Sequence, residues 1–293
     1  MKAVNFDGVY SAIFSVYDKG MNSKTATIHK MMDFQRENGL RGFYVGGNTG
    51  ECTILPNKTR MQILEDVIAN KKDSTIIAHI GAGHLDDTLE LLKHADTCGV
   101  DAIASLPPSL SAYYKEDEIV EYYRYLASLT DKPVIAYITN VFKGDVVSFT
   151  KKLMTIDNFA GLKLSVPDYF AFGKLRAFNS NMALLNGPDE TMICGLAMGA
   201  NGAIGTTYNI LPKEATAAYN AFRTGNMETA FAQQKRINHL ISFAIQGSGL
   251  QFWKAYMEVL GFDMGYTCFP AAEVTSEQMK AIEANLREVS LIK

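Results

Sequence analysis

Short apolar, β-rich runs alternate along the chain with longer segments in which apolar positions recur at helical spacing. The runs at residues 10–16, 42–46, 75–80, 102–106, 134–138, 160–164, 183–185 and 202–205 read as strands, and Gly, Pro or Asn cluster just after most of them. Most of these runs lack polar alternation, as expected of strands covered on both faces. Between them, Leu85, Leu89, Leu92 and Asp96 fall on one helical stripe, and Ile119, Tyr122, Tyr123 and Leu126 on another. Asp86, Asp87 and the run Glu116, Asp117, Glu118 sit where first helical turns would begin, favourably placed for the helix dipole. Eight such βα units predict an α/β fold, a (β/α)8 TIM barrel of parallel strands.

After the eighth strand the pattern changes. Residues 213–223, 227–245, 250–259 and 276–289 read as helices with no strands between them. The expected organisation is a catalytic barrel over residues 1–208 and a helical extension over residues 209–293 packed on it, with no Pro-, Ser- or Gly-rich linker between them. No repeat beyond the βα alternation is visible.

The sequence has 293 residues, 47% hydrophobic and 20% charged, enough for a large core, which excludes disordered and fibrous classes. The net charge of -3 comes from interspersed acids and bases, so no footprint for nucleic acid or an anionic membrane exists and small molecules are the expected partners. Cys52, Cys98, Cys194 and Cys268 are too far apart for a ligand pair and read as free thiols in a reducing compartment. No signal peptide is evident in residues 1–11 and no apolar stretch is long enough to span a membrane, so the expected location is cytoplasmic.

Candidate chemistry centres on Lys163 and Tyr137, each closing an apolar run on successive strands. At the C-terminal strand ends of a barrel both would face one cleft, where such barrels carry their chemistry. A lysine alone usually reads as solvated or salt-bridged; at the inner end of a strand, desolvation disfavours the ammonium and frees the amine to attack a carbonyl. Tyr137 fits a packed aromatic or a proton partner. The segment Gly46-Gly47-Asn48-Thr49-Gly50-Glu51 after the second strand fits a seat for a carboxylate or phosphate, and equally a plain glycine-rich turn. It matches neither the P-loop nor the dinucleotide fingerprint. Gly187-Pro188-Asp189-Glu190 fits helix capping, or contact with a polyhydroxylated substrate. Thr206, in the glycine-rich segment at the end of the eighth strand, has a hydroxyl for the same cleft. His29, His94 and His239 read as helix-surface residues and His79 as a hydrogen-bonded core histidine, so a metal site is unsupported.

In this order, GGNTGE, Tyr137, Gly161-Leu162-Lys163, GPDE and GAIGTTYN resemble the dihydrodipicolinate synthase and N-acetylneuraminate lyase superfamily of class I aldolases, and the match runs through the barrel. Asp189-Glu190 and Tyr208-Asn209 look most like the N-acetylneuraminate lyase branch. The synthases carry an arginine five residues after the strand-five tyrosine, where this chain has Phe142. The resemblance implies that Lys163 forms an imine with pyruvate, that Tyr137 relays protons, and that Gly47, Asn48 and Thr49 bind the pyruvate carboxylate. It also implies that Gly187, Asp189, Glu190 and Thr206 contact the sugar-acid tail, that Ser165, at a place where a threonine is common, is substrate-binding, that no cofactor is needed, and that the enzyme is a homotetramer.

Two departures stand out: Ile138-Thr139-Asn140 replaces the usual Asn-Ile-Pro, and Leu110 and Ser111 stand where many members carry tyrosines reaching a neighbouring subunit, with Tyr113 and Tyr114 close by. The expected activity is reversible aldol cleavage of N-acetylneuraminate to pyruvate and N-acetylmannosamine. The alternatives are another pyruvate-dependent 2-keto-3-deoxy sugar-acid aldolase or dehydratase on the same scaffold, and a non-catalytic sugar-acid sensor.

Overall fold

A computed structural model describes residues 4–247 and 249–293. The first three residues, part of the segment read for a leader, lie outside the described residues. Eight parallel strands close a barrel in sequence order: β1 (Gly8–Ala12), β2 (Gly42–Val45), β3 (Thr75–His79), β4 (Ala102–Ser105), β5 (Val134–Thr139), β6 (Phe159–Ser165), β7 (Ala183–Asn186) and β8 (Gly202–Gly205), with β8 pairing back to β1. The helices between and after them are α1 (Thr25–Glu37), α2 (Asn57–Ala69), α3 (Leu85–Thr97), α4 (Glu116–Ser128), α5 (Val146–Leu153), α6 (Tyr169–Phe178), α7 (Met192–Ala197) and α8 (Pro212–Arg223). The (β/α)8 barrel expected from the sequence is therefore the architecture observed.

The strands are two-faced, which is why they read as unbroken apolar runs. Tyr10, Tyr44, Ile77, Ala104, Ile135 and Leu185 fill the barrel interior. Val9, Phe43, Ile76, Ile103, Ala136 and Leu184, each one position away, belong to the larger core beneath the helices. This period-two division decides which residues can meet inside the barrel.

Between β5 and β6 the register shifts: Val134 pairs with Phe159, but Ile135 pairs with Gly161, so Ala160 is an extra residue. A one-residue shift moves every later side chain to the opposite face. Because of it, Lys163 pairs with Tyr137 and shares the inward face on which Tyr137 lies.

Three more helices close the chain: α9 (Met227–Ala244), α10 (Gly249–Val259) and α11 (Ser276–Glu288). α8 packs on β1 and on α9, completing the eighth βα unit, while α10 and α11 pack together. Among the described residues no helix is long and apolar enough to cross a membrane.

Two sequence expectations are corrected. The run at 10–16 forms a strand only over Gly8–Ala12; Ile13, Phe14 and Val16 leave the sheet yet stay buried. The segment stays apolar because it enters the larger core beneath the helices, and just after it Tyr266 N–H donates to Tyr17 O at 2.8 Å. On α3 the buried positions are Thr88, Leu91, Leu92 and Ala95, whereas Leu85 is 49% exposed. Of the predicted stripe Leu92 is buried and Leu89 packs partly buried against the core, while Leu85 lies outside the contact face, which is completed by Thr88, Leu91 and Ala95. The α4 stripe is as expected, with Ile119, Tyr123 and Leu126 buried. All four cysteines are free.

Candidate active site

The ends of β5 and β6 bring Tyr137 and Lys163 side by side as register partners. Both are nearly buried, 4% and 5% exposed. The Lys163 Nζ lies 4.1 Å from the Tyr137 ring centroid and 4.4 Å from that of Tyr44, held between two aromatic faces. Tyr44 and Tyr137 themselves meet edge to face, with centroids 5.9 Å apart. Among the described residues the paired lysines are Lys24, Lys71, Lys72, Lys152 and Lys254, so the buried amine of Lys163 has no carboxylate partner. Such an amine is poised for a carbonyl carbon rather than committed to a structural ion pair.

The loop after β2 reaches over this pair. Gly46 has a positive φ of 73°, and a Cβ on Gly47 would stand 2.5 Å from a ring carbon of Tyr44, so both positions require glycine for conformation or space. The next residues, Asn48–Gly50, form a single 3-10 turn closed by Glu51 in the left-handed region. Asn48 Nδ2 donates to the Tyr137 hydroxyl at 3.3 Å, and the hydroxyls of Thr49 and Thr206 are 2.7 Å apart. The turn is therefore tied to β5 on one side and to the end of β8 on the other.

Beneath the loop lies a polar layer that the sequence did not reveal. Arg60, on α2, donates to the carbonyls of Gly46, Cys52, His79 and Gly81 at 2.8–3.4 Å. His79 shows 3.0 Å between Nδ1 and Gly46 O, and Leu106 N–H donates to its Nε2 at 3.1 Å. The second bond makes Nε2 the acceptor and assigns the proton to Nδ1. Burial, then the Arg60 charge, hold the imidazole well below its usual pKa, so it stays neutral. His79 is thus the hydrogen-bonded core histidine expected. Arg60 looks like any solvated helix arginine in sequence; its helical spacing to Ile63, Leu64 and Val67 on the buried face was the available signal.

On the far side of Lys163, Gly187 lies directly over Ser165. A Cβ there would stand 1.9 Å from Ser165 Oγ and 2.8 Å from Leu164 O. Asp189 and Glu190 separate. Asp189 is buried and its Oδ2 accepts from the backbone N–H and the hydroxyl of Thr207 at 2.7 and 2.6 Å. Burial raises its carboxyl pKa to about 6, against the lowering effect of these two donors. Glu190 is exposed, and only its backbone carbonyl is engaged, by Asn238 Nδ2 at 3.0 Å. Lys163, Tyr137, Asn48, Thr49 and Thr206 therefore form one connected group, Ser165 and Gly187 abut it, and Glu190 stands outside.

A cavity of about 650 Å³ lies at the opposite end of the barrel among Phe6, Asp7, Asn158 and Asn201. One of about 250 Å³ opens beside the loop and is lined by Asn48, Cys52, Leu106, Pro108, Thr139 and Phe142. The smaller one is the candidate site, because it adjoins Tyr137's partner Asn48 at the C-terminal strand ends. Of its lining residues Leu110 is 73% exposed and Ser111 is buried, and Tyr113, which does not line it, is 85% exposed. Among the described residues no group of three His, Cys, Asp or Glu side chains is arranged to hold a metal.

The sequence model of the dihydrodipicolinate synthetase family matches residues 5–289. An N-acetylneuraminate lyase of Rhizobium meliloti is 31% identical over 286 residues, covering 95% of this chain and 94% of that protein. Another from Clostridium perfringens is 30% identical over 288 residues, covering 95% and 98%. Among solved structures, Proteus mirabilis N-acetylneuraminate lyase superposes with a TM-score of 0.91 at 25% identity, covering 99% of this chain and 100% of that one.

Proposed function

The chain belongs to the dihydrodipicolinate synthetase family, and on that premise we propose that it is a pyruvate-dependent class I aldolase that cleaves N-acetylneuraminate to pyruvate and N-acetylmannosamine. The observation that carries this reading is the unpaired, nearly buried Lys163 amine seated between the rings of Tyr44 and Tyr137 at the C-terminal end of the barrel.

The chemistry comes from these groups. The neutral Lys163 amine attacks the C2 ketone of the open-chain keto acid, and loss of water leaves a protonated imine. Electrons of the C3–C4 bond flow into that imine as the C4 hydroxyl gives up its proton, releasing the aldehyde and leaving an enamine. Protonation at C3 and hydrolysis then release pyruvate and restore the amine. Asn48 Nδ2 donates to Tyr137's oxygen, which leaves that hydroxyl's own proton free for the cleft. Tyr137 is accordingly the proton relay, acting directly or through the substrate carboxylate. The backbone amides of Gly47, Asn48 and Thr49, with the Thr49 hydroxyl oriented by Thr206, form the carboxylate seat. Ser165 and Gly187 are the tail-facing set in this reading; Asp189 Oδ2 is taken up by Thr207 and Glu190 stands outside the connected group.

A second reading has a specific observation in its favour. Asp189 already spends Oδ2 on Thr207 and Glu190 points to solvent, which suits a 2-keto-3-deoxy sugar acid with fewer tail contacts than N-acetylneuraminate. Pyruvate release from N-acetylneuraminate compared with 2-keto-3-deoxygluconate separates them: preference for the first supports the sialic acid reading, and preference for the second replaces it. The homotetramer and the cytoplasmic location belong to the same proposal. A purely monomeric boundary in sedimentation contradicts the tetramer.

A further inference from the structure

A buried ion pair stands directly behind the loop after β2. Glu51 closes the turn Asn48–Gly50 with a φ of 59°, and its N–H donates to Asn48 O at 3.0 Å. The Glu51 Oε1 lies 2.8 Å from the Lys254 Nζ on α10, with side-chain exposures of 1% for the lysine and 0% for the glutamate. The second carboxylate oxygen, Oε2, accepts from the Tyr17 hydroxyl at 2.6 Å. Lys254 also donates to Tyr266 O at 3.0 Å and lies 4.7 Å from the Tyr17 ring centroid. Cys268 N–H donates to the Tyr17 hydroxyl at 3.1 Å. The carboxylate, the ammonium and the phenol are thus each engaged, and the network joins β1's exit, the loop and the C-terminal helices.

We propose that Lys254 is a positioning residue for the substrate carboxylate seat, acting through Glu51, so that α10 belongs to the substrate-binding machinery and does more than cover the barrel. The proposal rests on reading Asn48 and Thr49 as that seat. Two physical points support it. A buried pair of this kind adds little net stability over an apolar pair of the same volume, while loss of one partner leaves an uncompensated buried charge. What the pair does contribute is geometry: an αL glutamate anchored through two carboxylate oxygens holds the end of the turn at one place and angle. Amides that bind an anion must be held in position before it arrives. Behind them, Glu51 is the residue that reaches across to Lys254 on α10 and to Tyr17.

The test measures borohydride trapping of pyruvate as a function of pyruvate concentration in wild type, Lys254→Met, Glu51→Gln and Tyr256→Phe, each with a thermal melt. Tyr256 lies on α10, and its hydroxyl bonds Asn285 Oδ1 on α11 at 2.9 Å, so its variant controls for loss of α10 packing away from the loop. Saturable trapping in wild type supports pyruvate binding and imine formation at the site independently of the proposal. Given that, Lys254→Met and Glu51→Gln should raise half-saturation about tenfold or more while the plateau of trapped protein is unchanged, and Tyr256→Phe should lower the melting temperature without moving half-saturation. Unchanged half-saturation in a folded Lys254→Met or Glu51→Gln protein overturns the proposal, as does an equal shift in Tyr256→Phe. If neither pair variant folds, the pair is a stability element and the inference falls.

Discussion

Lys163 and Tyr137 are register partners on neighbouring parallel strands, and the amine stands 4.1 Å from the centre of the phenol ring. That relationship depends on the extra residue Ala160, which places the lysine on the inward face. The two side chains are therefore a consequence of sheet register, and the chemistry depends on that register.

Replacement of the amine should separate fold from activity. Lys163→Met keeps a linear apolar stem between the Tyr44 and Tyr137 rings, so the melting temperature should change little. Loss of the nucleophile should lower kcat by roughly 10⁶-fold, judged by other enzymes that lose theirs. Circular dichroism melts and a pyruvate-release assay check both halves; appreciable turnover by the variant would exclude imine chemistry at this residue.

Tyr137→Phe removes the hydroxyl that accepts from Asn48 Nδ2 but leaves the ring beside the amine. Pyruvate should still be trapped on Lys163, whereas kcat for cleavage should fall by roughly 10²–10⁴-fold, the usual contribution of positioned proton transfer. Trapping and turnover measured on the same preparation distinguish this from a binding defect, which would depress trapping at low pyruvate instead.

Gly187→Ala should destabilise the protein by about 1–3 kcal/mol, because its Cβ would meet Ser165 Oγ at 1.9 Å and Leu164 O at 2.8 Å. Adding Ser165→Ala should recover part of that loss, since it removes the nearer atom but not the carbonyl. Chemical denaturation of the two variants measures the coupling.

Asp189 predicts the sign of a stability change with pH. Its folded-state carboxyl pKa is raised to about 6 from 3.8, so between those values the folded chain holds a proton that the unfolded chain has released. Stability must then fall as pH rises from about 4 to about 6, by on the order of 3 kcal/mol for this one group. Asp189→Asn, which cannot titrate, should remove that part of the slope. Denaturation midpoints across this range check it, and an identical slope in the variant would show that Asp189 does not titrate there.

Much of the fold was legible in the sequence because burial on both faces leaves a strong trace. The unbroken apolar strands announced the barrel, and their polar terminal residues announced Lys163 and Tyr137. The failures have the same physical origin. Ile13 to Val16 read as strand because they are buried in the core outside the sheet. The α3 stripe was partly displaced because Thr88, which is polar, and Ala95, which is small, share the contact face with Leu91 and Leu92. Within the site, Asn48 and Thr49 were visible as a loop motif, but Arg60, Lys254 and the pairing of Glu51 with Lys254 were not. A charged side chain that serves buried carbonyls, or a partner 203 residues away, has no local signature. Nor does Ala160, whose effect exists only in its pairing with β5.

The most direct measurement of the central claim is peptide mapping after borohydride reduction in the presence of pyruvate. The account predicts a reduced pyruvate adduct on Lys163 alone, formed by wild type and not by Lys163→Met. An adduct on another lysine, or none at saturating pyruvate, would contradict it.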